Sequence, residues 1–348
     1  MKNIGIVKIL LLCVVILSLF VTAEAQNKRI GTSAAPELLI PVGARDLAMG
    51  GSTIANSYGT EAIYWNPAGL GRLSYSAEGM FSTMSYIADI NVSYGAIGAS
   101  FGSFGNIGLS VKSINFGDIP LTTEADPEGE SGRYFSPTYI TTGLTYARAL
   151  TDAISVGLTA KLISEQIDQV SATGFAFDVG VQYTNLVGLS GLELGVVIKN
   201  IGPQMQFGGP GLYRNATSTD GRRPEQKYKI EAASFELPSL VEIGVAYGQK
   251  IGENMSWKLN GAFTNNNLFL DEYKIGGEYG YLLDAVKLFA RAGVGLIPQA
   301  TADEKIFGGA FGFGVYYKAA GVDMTLDYAY RQVDYFDGNN IFSVKLGF

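Results

Sequence analysis

Very few side chains in this sequence are of the kind that carry out catalysis. The 348 residues contain no histidine, and the single cysteine, Cys13, lies in an apolar stretch near the N-terminus. A chain without histidine and usable cysteine cannot build a Ser-His-Asp triad, a cysteine nucleophile, a disulfide or a Cys/His metal site. We therefore predict that the protein is not an enzyme and uses no cofactor or metal.

Two short segments have residue types that could bind ligands, but both have a simpler interpretation. Gly308–Gly314 is rich in glycine like a phosphate-binding loop, yet no Lys-Ser or Lys-Thr pair follows it. Asp334, Asp337 and Asn339 offer oxygen atoms of the kind that calcium prefers, but they are also ordinary residues of an exposed turn. We interpret the first segment as part of a strand and the second as a surface loop.

The N-terminus has the layout of an export signal. Lys2 and Lys8 provide a positive flank, and Ile9–Val21 is an apolar core. Ala23-Glu24-Ala25 then offers small residues at the cleavage positions. The core is too short to cross a bilayer as a helix, which needs about 20 residues. Residues 1–25 are therefore predicted to be a signal peptide.

The composition of the chain is typical of a membrane protein without membrane helices. Charged residues make up 16% of the chain, against about 25% in soluble domains. The formal net charge is −7, which argues against nucleic acid as a partner. No apolar run after Val21 is long enough for a spanning helix. Export, low charge and no spanning helix together predict a β-barrel in the outer membrane of a Gram-negative type of cell.

From Leu73 onwards, large apolar residues alternate with small or polar ones, which is the period of a β-strand. The same alternation puts Phe307 on the apolar face of its segment. We predict an all-β fold, a 14-stranded antiparallel transmembrane β-barrel over residues 73–348. The strand segments are 75–86, 90–101, 106–119, 136–149, 153–167, 172–186, 191–205, 237–250, 254–267, 271–283, 285–298, 305–318, 321–334 and 340–348.

The connections between these segments alternate between short turns and long loops, as in barrels whose two rims face different compartments. The long connections are Pro120–Phe135, Gln206–Glu236, Gln299–Glu304 and Tyr335–Asn339. We expect all four to lie on one rim.

Residues 26–72 do not follow the strand pattern and are predicted to form a plug. Fourteen strands enclose a lumen too wide to be filled by side chains alone. We expect a helical turn over Ala44–Met49, then an N-cap at Thr60 for a short helix Glu61–Trp65, which ends before Pro67.

The charges of the plug need partners, because an unpaired buried charge is costly. These charges are Arg45, Asp46, Glu61 and Arg72. The inward-facing candidates on the wall are Lys161, Asp178, Glu193, Lys199, Glu242, Lys287, Arg291, Asp323, Asp327, Arg331 and Lys345.

Three blocks of the plug carry a family resemblance. They are Gly43-Ala44-Arg45, Met49-Gly50-Gly51 and Trp65-Asn66-Pro67-Ala68-Gly69. In this order before a strand-rich region, they resemble the N-terminal signature of the PorV/PorQ-type outer-membrane proteins. That group belongs to the superfamily of the long-chain fatty-acid channel FadL, whose plug also carries an Asn-Pro-Ala tripeptide.

The resemblance implies two alternative functions. The PorV/PorQ type implies an accessory or cargo-shuttling role in type IX protein secretion, with a translocon and secreted cargo as partners and Gln206–Glu236 as the main loop. The FadL-like superfamily implies a channel for long-chain fatty acids or other hydrophobic small molecules. Its ligand would leave sideways near the third strand, where Gly117 would mark a bulge. A structural outer-membrane protein without a ligand is a third alternative.

The end of the chain indicates how the barrel is inserted. Phe342, Val344, Leu346 and Phe348 fall on one face of the last segment, and the chain ends on an aromatic residue. This pattern resembles the C-terminal strand that the barrel-insertion machinery binds. We expect outer-membrane lipid and that machinery to be partners of the chain.

Overall fold

A computed structural model describes residues 31–217, 224–301, 304–318 and 321–348. The predicted signal peptide and the first residues of the predicted plug lie outside these ranges. None of the helices in the described residues is long and apolar enough to cross a membrane.

Fourteen strands form one closed antiparallel barrel. The strands are β1 (Ala77–Ser85), β2 (Asn91–Ser100), β3 (Asn106–Asn115), β4 (Thr138–Ala149), β5 (Ile154–Ile167), β6 (Val170–Thr184), β7 (Leu192–Ile201), β8 (Leu240–Ile251), β9 (Met255–Asn266), β10 (Glu272–Leu283), β11 (Val286–Leu296), β12 (Phe307–Lys318), β13 (Asp323–Val333) and β14 (Asn339–Gly347). The barrel closes where β1 pairs with β14, for example at Phe81 and Val344. Closure removes the exposed strand edges that lipid could not satisfy. The prediction of a 14-stranded antiparallel barrel is confirmed.

Side chains alternate between the two sides of the wall. In β6, Phe175 and Phe177 are exposed on the outside, whereas Asp178 and Gln182 are fully buried in the lumen. An outer wall with so much apolar surface is the kind that lipid solvates. Other large outward residues are Phe81, Ile97, Leu144, Leu259, Ile275 and Phe313.

Phe307 departs from this alternation, and its predicted place on the apolar outer face is wrong. Phe307 pairs with Val333 and Ala310 pairs with Arg331, so β12 contains one extra residue at Gly308-Gly309. Such a β-bulge redirects the neighbouring side chain. Phe307 turns into the lumen, where the Arg331 guanidinium carbon lies 3.8 Å from the centroid of its ring.

The connections sort onto two rims, and all four predicted long connections lie on the same one. This long-loop rim carries 116–137, 202–239, 297–306 and 334–338, but the last of these is shorter than 185–191, the longest connection at the short-turn rim. One connection at the long-loop rim, 168–169, is a tight turn, and loop 202–239 covers it through a bridge between Ser171 and Gly208.

Loop 202–239 contains secondary structure of its own. Tyr213–Ala216 pairs with Gln226–Lys229 to form a two-stranded unit that we call the surface hairpin. All eight of these residues are exposed. Met205–Gln206 and Ser234–Phe235 pair at the base of the loop.

The plug consists of short helical turns. Two α-helical turns, α1 (Ala44–Ala48) and α2 (Ala62–Trp65), alternate with 3₁₀ turns at Pro36–Leu39, Gly59–Glu61 and Pro67–Arg72. Asn66 is extended before Pro67, with φ −155° and ψ 106°, as a residue before proline should be.

The predicted N-cap at Thr60 is wrong. Thr60 lies inside a 3₁₀ turn, and its backbone nitrogen and its hydroxyl both donate to Glu78 of β1 at 2.7 Å. The Glu78 carboxylate on the wall therefore accepts the hydrogen bonds of Thr60. In an isolated segment, the Thr60 hydroxyl would instead have been free to cap the helix.

The plug crosses the lumen from rim to rim. Near the long-loop rim, the Ala34 nitrogen donates to the Glu236 carbonyl at 2.9 Å. Near the short-turn rim, the Asn106 side-chain amide donates to the Leu70 carbonyl at 2.7 Å. The plug is thus tied to the barrel at both ends.

Candidate functional site: the plug seat and the cavity above it

The three family-like blocks of the plug come together in space. Gly43, Gly50 and Gly51 have positive φ angles of 84°, 65° and 70°, which glycine adopts without strain. Gly51 also lies so close to the Trp65 ring that a Cβ atom would overlap it. The Trp65 indole nitrogen donates to the Val42 carbonyl at 3.1 Å. These contacts hold the turns of the plug in one arrangement.

The blocks also bind the wall. The α1 turn is anchored on β14, because the Ala44 nitrogen donates to the Ser343 hydroxyl at 2.8 Å. Asn66 donates through its amide nitrogen to the Ile54 carbonyl at 2.9 Å and to the Val181 carbonyl of β6 at 3.2 Å. Met49, Pro67, Ala68 and Gly69 are buried in the same interface.

Glycines line the inner wall where it contacts the plug. At each of them an added Cβ atom would come too close to atoms of the plug, mostly backbone atoms. Backbone atoms cannot move aside as a flexible side chain can, so larger residues would not fit without displacing the plug. We call these glycines the plug seat: Gly157, Gly180, Gly195, Gly244, Gly276 and Gly293.

Two of the expected wall partners bind charges of the plug. Lys345 Nζ lies 3.3 Å from Glu61 Oε2, and Glu193 Oε2 lies 3.8 Å from Arg72 Nη1. Because Lys345 and Glu61 are both buried, this pair is shielded from solvent screening.

Glu278 is a partner that the sequence reasoning missed. It lies 3.3 Å from Arg45 and 2.7 Å from Arg291, and Arg291 also bonds Asp327. Arg45 is further paired with its neighbour Asp46 at 2.8 Å. The alternation in β10 already places Glu278 on the inner face, between two inward-facing glycines, and is the signal that could have found it.

Other inward candidates form their ion pairs along the wall, although Lys199 also lies over the rings of Tyr64 and Trp65 in the plug. Lys161 binds Asp178 at 2.6 Å, and Lys199 binds Glu242 at 2.7 Å. Two further candidates do not reach the plug. Asp323 accepts hydrogen bonds from the hydroxyls of Tyr75 and Tyr316, and Lys287 lies over the Phe289 ring.

A cavity of about 760 Å³ lies between the first turn of the plug and the wall formed by β8–β13. Its apolar lining consists mainly of Leu38, Leu39, Phe269, Leu270, Leu296, Ile297, Ile306 and Phe307. The size falls within the usual range for small-molecule sites, about 300–1,000 Å³. The cavity is therefore large enough for a molecule of the size of a drug or a medium-length lipid.

The floor of the cavity is charged but largely self-neutralised. Glu242 pairs with Lys199 at 2.7 Å and with Lys274 at 3.1 Å, and Lys274 also lies 3.4 Å from Glu272. Arg331 differs, since none of the ion pairs among the described residues includes it. It donates instead to the Asn339 amide oxygen at 2.6 and 2.9 Å and stacks on Phe307.

Lys112 holds the first turn of the plug, whose Leu38 and Leu39 line the cavity. Its ammonium donates to the backbone carbonyls of Glu37 and Ile40 at 2.7 and 3.0 Å. Burial, and then the nearby carboxylate of Glu165, raise the pKa of the Glu37 carboxyl group above its usual range.

The wall is continuous at the third strand, where the family resemblance implied an opening. Every residue of β3 pairs with both β2 and β4. Gly117 lies beyond the end of β3, in the following loop, and so does not mark a bulge in that strand. Pairing is incomplete elsewhere: the ladder between β11 and β12 ends at Gly293 and Ala310.

The remaining candidates have structural roles. Gly308–Gly314 lies within β12, and Asn339 is engaged by Arg331. No cluster of three metal-ligating side chains occurs among the described residues.

The residues of the predicted insertion signal lie on the last strand and at its end. Phe342 and Val344 lie on the outer face of β14, and Leu346 is partly covered. The Phe348 carbonyl accepts a hydrogen bond from the Ser76 nitrogen at 2.9 Å.

Comparison with known proteins supports the fold. No protein-family model matches the chain, and no curated protein matches its sequence. Among solved structures, the CymD monoaromatic hydrocarbon channel aligns with a TM-score of 0.56 at 13% identity, covering 89% of this chain and 98% of that one. The two chains therefore share a fold.

Two toluene transporters give the same result. TodX of Pseudomonas putida aligns with a TM-score of 0.55 at 12% identity, over 88% of this chain and 97% of the other. TbuX of Ralstonia pickettii aligns with a TM-score of 0.53 at 12% identity, over 88% and 98%. At these identities the likeness shows a shared fold, and it does not show the PorV/PorQ type.

Proposed function

We propose that the protein is an outer-membrane channel for hydrophobic small molecules, and that the cavity above the plug is its binding site. The observation that carries the proposal is an apolar cavity of about 760 Å³ in a barrel that shares its fold with channels for aromatic hydrocarbons. This is the alternative function that the sequence resemblance implied.

The chemistry of the cavity agrees with an uncharged or weakly polar ligand. Most charges of its floor already pair with each other. The guanidinium of Arg331, outside those pairs, donates to Asn339 and stacks on Phe307, so an apolar molecule placed above these groups leaves no polar group without a partner. The apolar lining would supply the binding energy through burial of ligand surface. The predicted export signal, the apolar outer wall and the C-terminal aromatic strand support an outer-membrane location.

Uptake of a radiolabelled long-chain hydrocarbon by cells that lack such a channel tests the proposal. Expression of the chain should increase uptake, and Leu39→Trp, which fills the cavity, should lower it several-fold. Leu158→Trp on the outer wall is the matched control, because Leu158 is exposed outside the barrel. If the parent chain gives no more uptake than cells without it, the proposal is wrong.

An accessory role in type IX protein secretion is the second candidate, and it rests on the PorV/PorQ resemblance. The feature that would serve it is the surface hairpin, since a two-stranded unit exposed on both faces gains stability from a partner. Deleting this hairpin should then block secretion of cargo without preventing barrel insertion. Deletion of residues 121–133 in the other long loop is the control, and normal secretion after removal of the hairpin would contradict this role.

A further inference from the structure

The first three strands differ from the rest of the wall in the side chains that they turn outwards. On β11 the outward-facing residues from Val286 to Leu296 are all apolar. On β1 the large apolar outward residues end at Phe81, and the two outward positions nearer the long-loop rim are Thr83 and Ser85. At about 3.3 Å per residue, these positions take up about 13 Å of strand. The apolar belt of the barrel is therefore shorter on this side.

The polar surface continues across the neighbouring strands, and we call it the polar notch. Thr83 is paired with Ser93 of β2, and Ser93 is paired with Ser113 of β3. A second row, nearer the rim, is paired in the same way. All members of both rows are partly or fully exposed, and none carries a charge. The polar notch consists of Thr83, Ser93 and Ser113 in one row and Ser85, Asn91 and Asn115 in the other.

The inner face of the same three strands is apolar. Met84, Val92 and Ile114 alternate with residues of the polar notch and are buried in one core with the plug. Apolar residues inside and polar residues outside are the pattern of an antiparallel sheet that has one face in water. On β10 and β11 the pattern is reversed, because Glu278 and Arg291 point into the lumen while the outside is apolar. Two independent features, the outer and the inner face, therefore distinguish the rim end of β1–β3.

Acyl chains are a poor solvent for the polar notch. A hydroxyl or amide group placed against hydrocarbon loses the hydrogen bonds that water would give it. The notch is continuous with the exposed turn 86–90 at the rim, so polar groups can reach it from that side. A bilayer accommodates a short apolar belt by becoming thinner beside it.

We propose that lipid headgroups and water cover the polar notch, and that the leaflet at the long-loop rim is thinner along β1–β3 than along β10 and β11. The notch is thus an interaction surface for the polar part of the membrane on a wall that otherwise contacts acyl chains. This inference rests on the proposed outer-membrane location and does not depend on a ligand in the cavity.

Fluorescence quenching in lipid vesicles tests the inference. The only cysteine of the sequence is Cys13, in the predicted signal peptide, so one introduced cysteine gives one labelled site. Ser93→Cys is a small change that places a bimane label in the notch. Val241→Cys is the matched control, because Val241 faces outward near the long-loop end of β8. Ile97→Cys, on β2 but further from the rim, shows whether the barrel is inserted at all.

The vesicles contain dioleoylphosphatidylcholine and a phosphatidylcholine with bromine in its acyl chains. Bromine should quench the label at Val241 and at Ile97 several-fold more strongly than the label at Ser93. Iodide in the buffer should give the opposite order. Ser113→Cys is a second site in the notch and should behave like Ser93→Cys, so the test does not depend on one labelled variant.

Each other result has a definite meaning. Quenching by bromine at Ser93 and Ser113 as strong as at Val241 would overturn the inference, since acyl chains would then cover the notch. Protection of both notch sites from bromine and from iodide would also overturn it, since a protein surface would then cover them. If bromine quenches neither Val241 nor Ile97, the barrel is not in the bilayer, and the proposed membrane location itself is wrong.

Discussion

The six glycines of the plug seat account for part of the high glycine content of this chain. The sequence has 45 glycines, and those on the inner wall at the height of the plug stand where any side chain would meet plug atoms. Gly157 is an example, since its Cβ position is occupied by the backbone of Pro67 and Ala68. Glycine at these positions allows the backbones of the wall and the plug to approach each other closely. It is not needed there to form a turn.

Gly157→Ala should therefore destabilise the plug by about 1–3 kcal/mol, the usual cost of overpacking. Gly79→Ala is the matched control, because nothing lies within 4 Å of an added Cβ at Gly79. The chain has two tryptophans, so in a Trp257→Phe background the emission of Trp65 reports on the plug during guanidinium unfolding. Equal midpoints for the two glycine variants would contradict the seat.

Residue-level predictions from the sequence succeeded where a local rule decides the conformation. The extended backbone of Asn66 follows from Pro67, and the inward position of Asp178 follows from strand alternation. They failed where a distant partner decides. Threonine is a common N-cap residue, but the backbone nitrogen and hydroxyl of Thr60 donate to Glu78 on a wall strand instead.

At the scale of elements, all fourteen strands could be predicted because lipid on one side and a lumen on the other impose a strict period of two. The ends of strands were less certain. The third segment was expected to reach residue 119 but ends at Asn115, whose side chain accepts from the Gly117 nitrogen at 2.8 Å and turns the chain. Gly117 then has a positive φ of 74°, which a strand does not contain.

The bulge in β12 is the element that the period of two could not reveal. An extra residue reverses the faces of everything beyond it, so Phe307 was placed with the lipid-facing residues although it lies over Arg331 in the lumen. The adjacent glycines Gly308-Gly309 are the only local sign of the bulge, and in this chain glycines also occur throughout the regular inner wall. The redirected Phe307 thus became visible only with the strand register.

At the scale of the whole molecule, the lumen is divided into two zones. The plug fills the zone from the seat to the short-turn rim, and the cavity occupies the zone between the first plug turn and β8–β13. A lumen of fourteen strands is wide enough to require such an occupant. In the proposed channel, this division would admit ligands from one side and deny them a straight path through the barrel.

Crystals soaked with a brominated alkane would show whether the cavity above the plug binds hydrophobic molecules. Anomalous diffraction locates the bromine without assumptions about transport. We expect a bromine peak in the cavity, between Phe269, Leu296 and Phe307, that is lost in the Leu39→Trp variant. Bromine bound only along the outer wall of the parent protein, with none in the cavity, would show that the cavity is not the binding site.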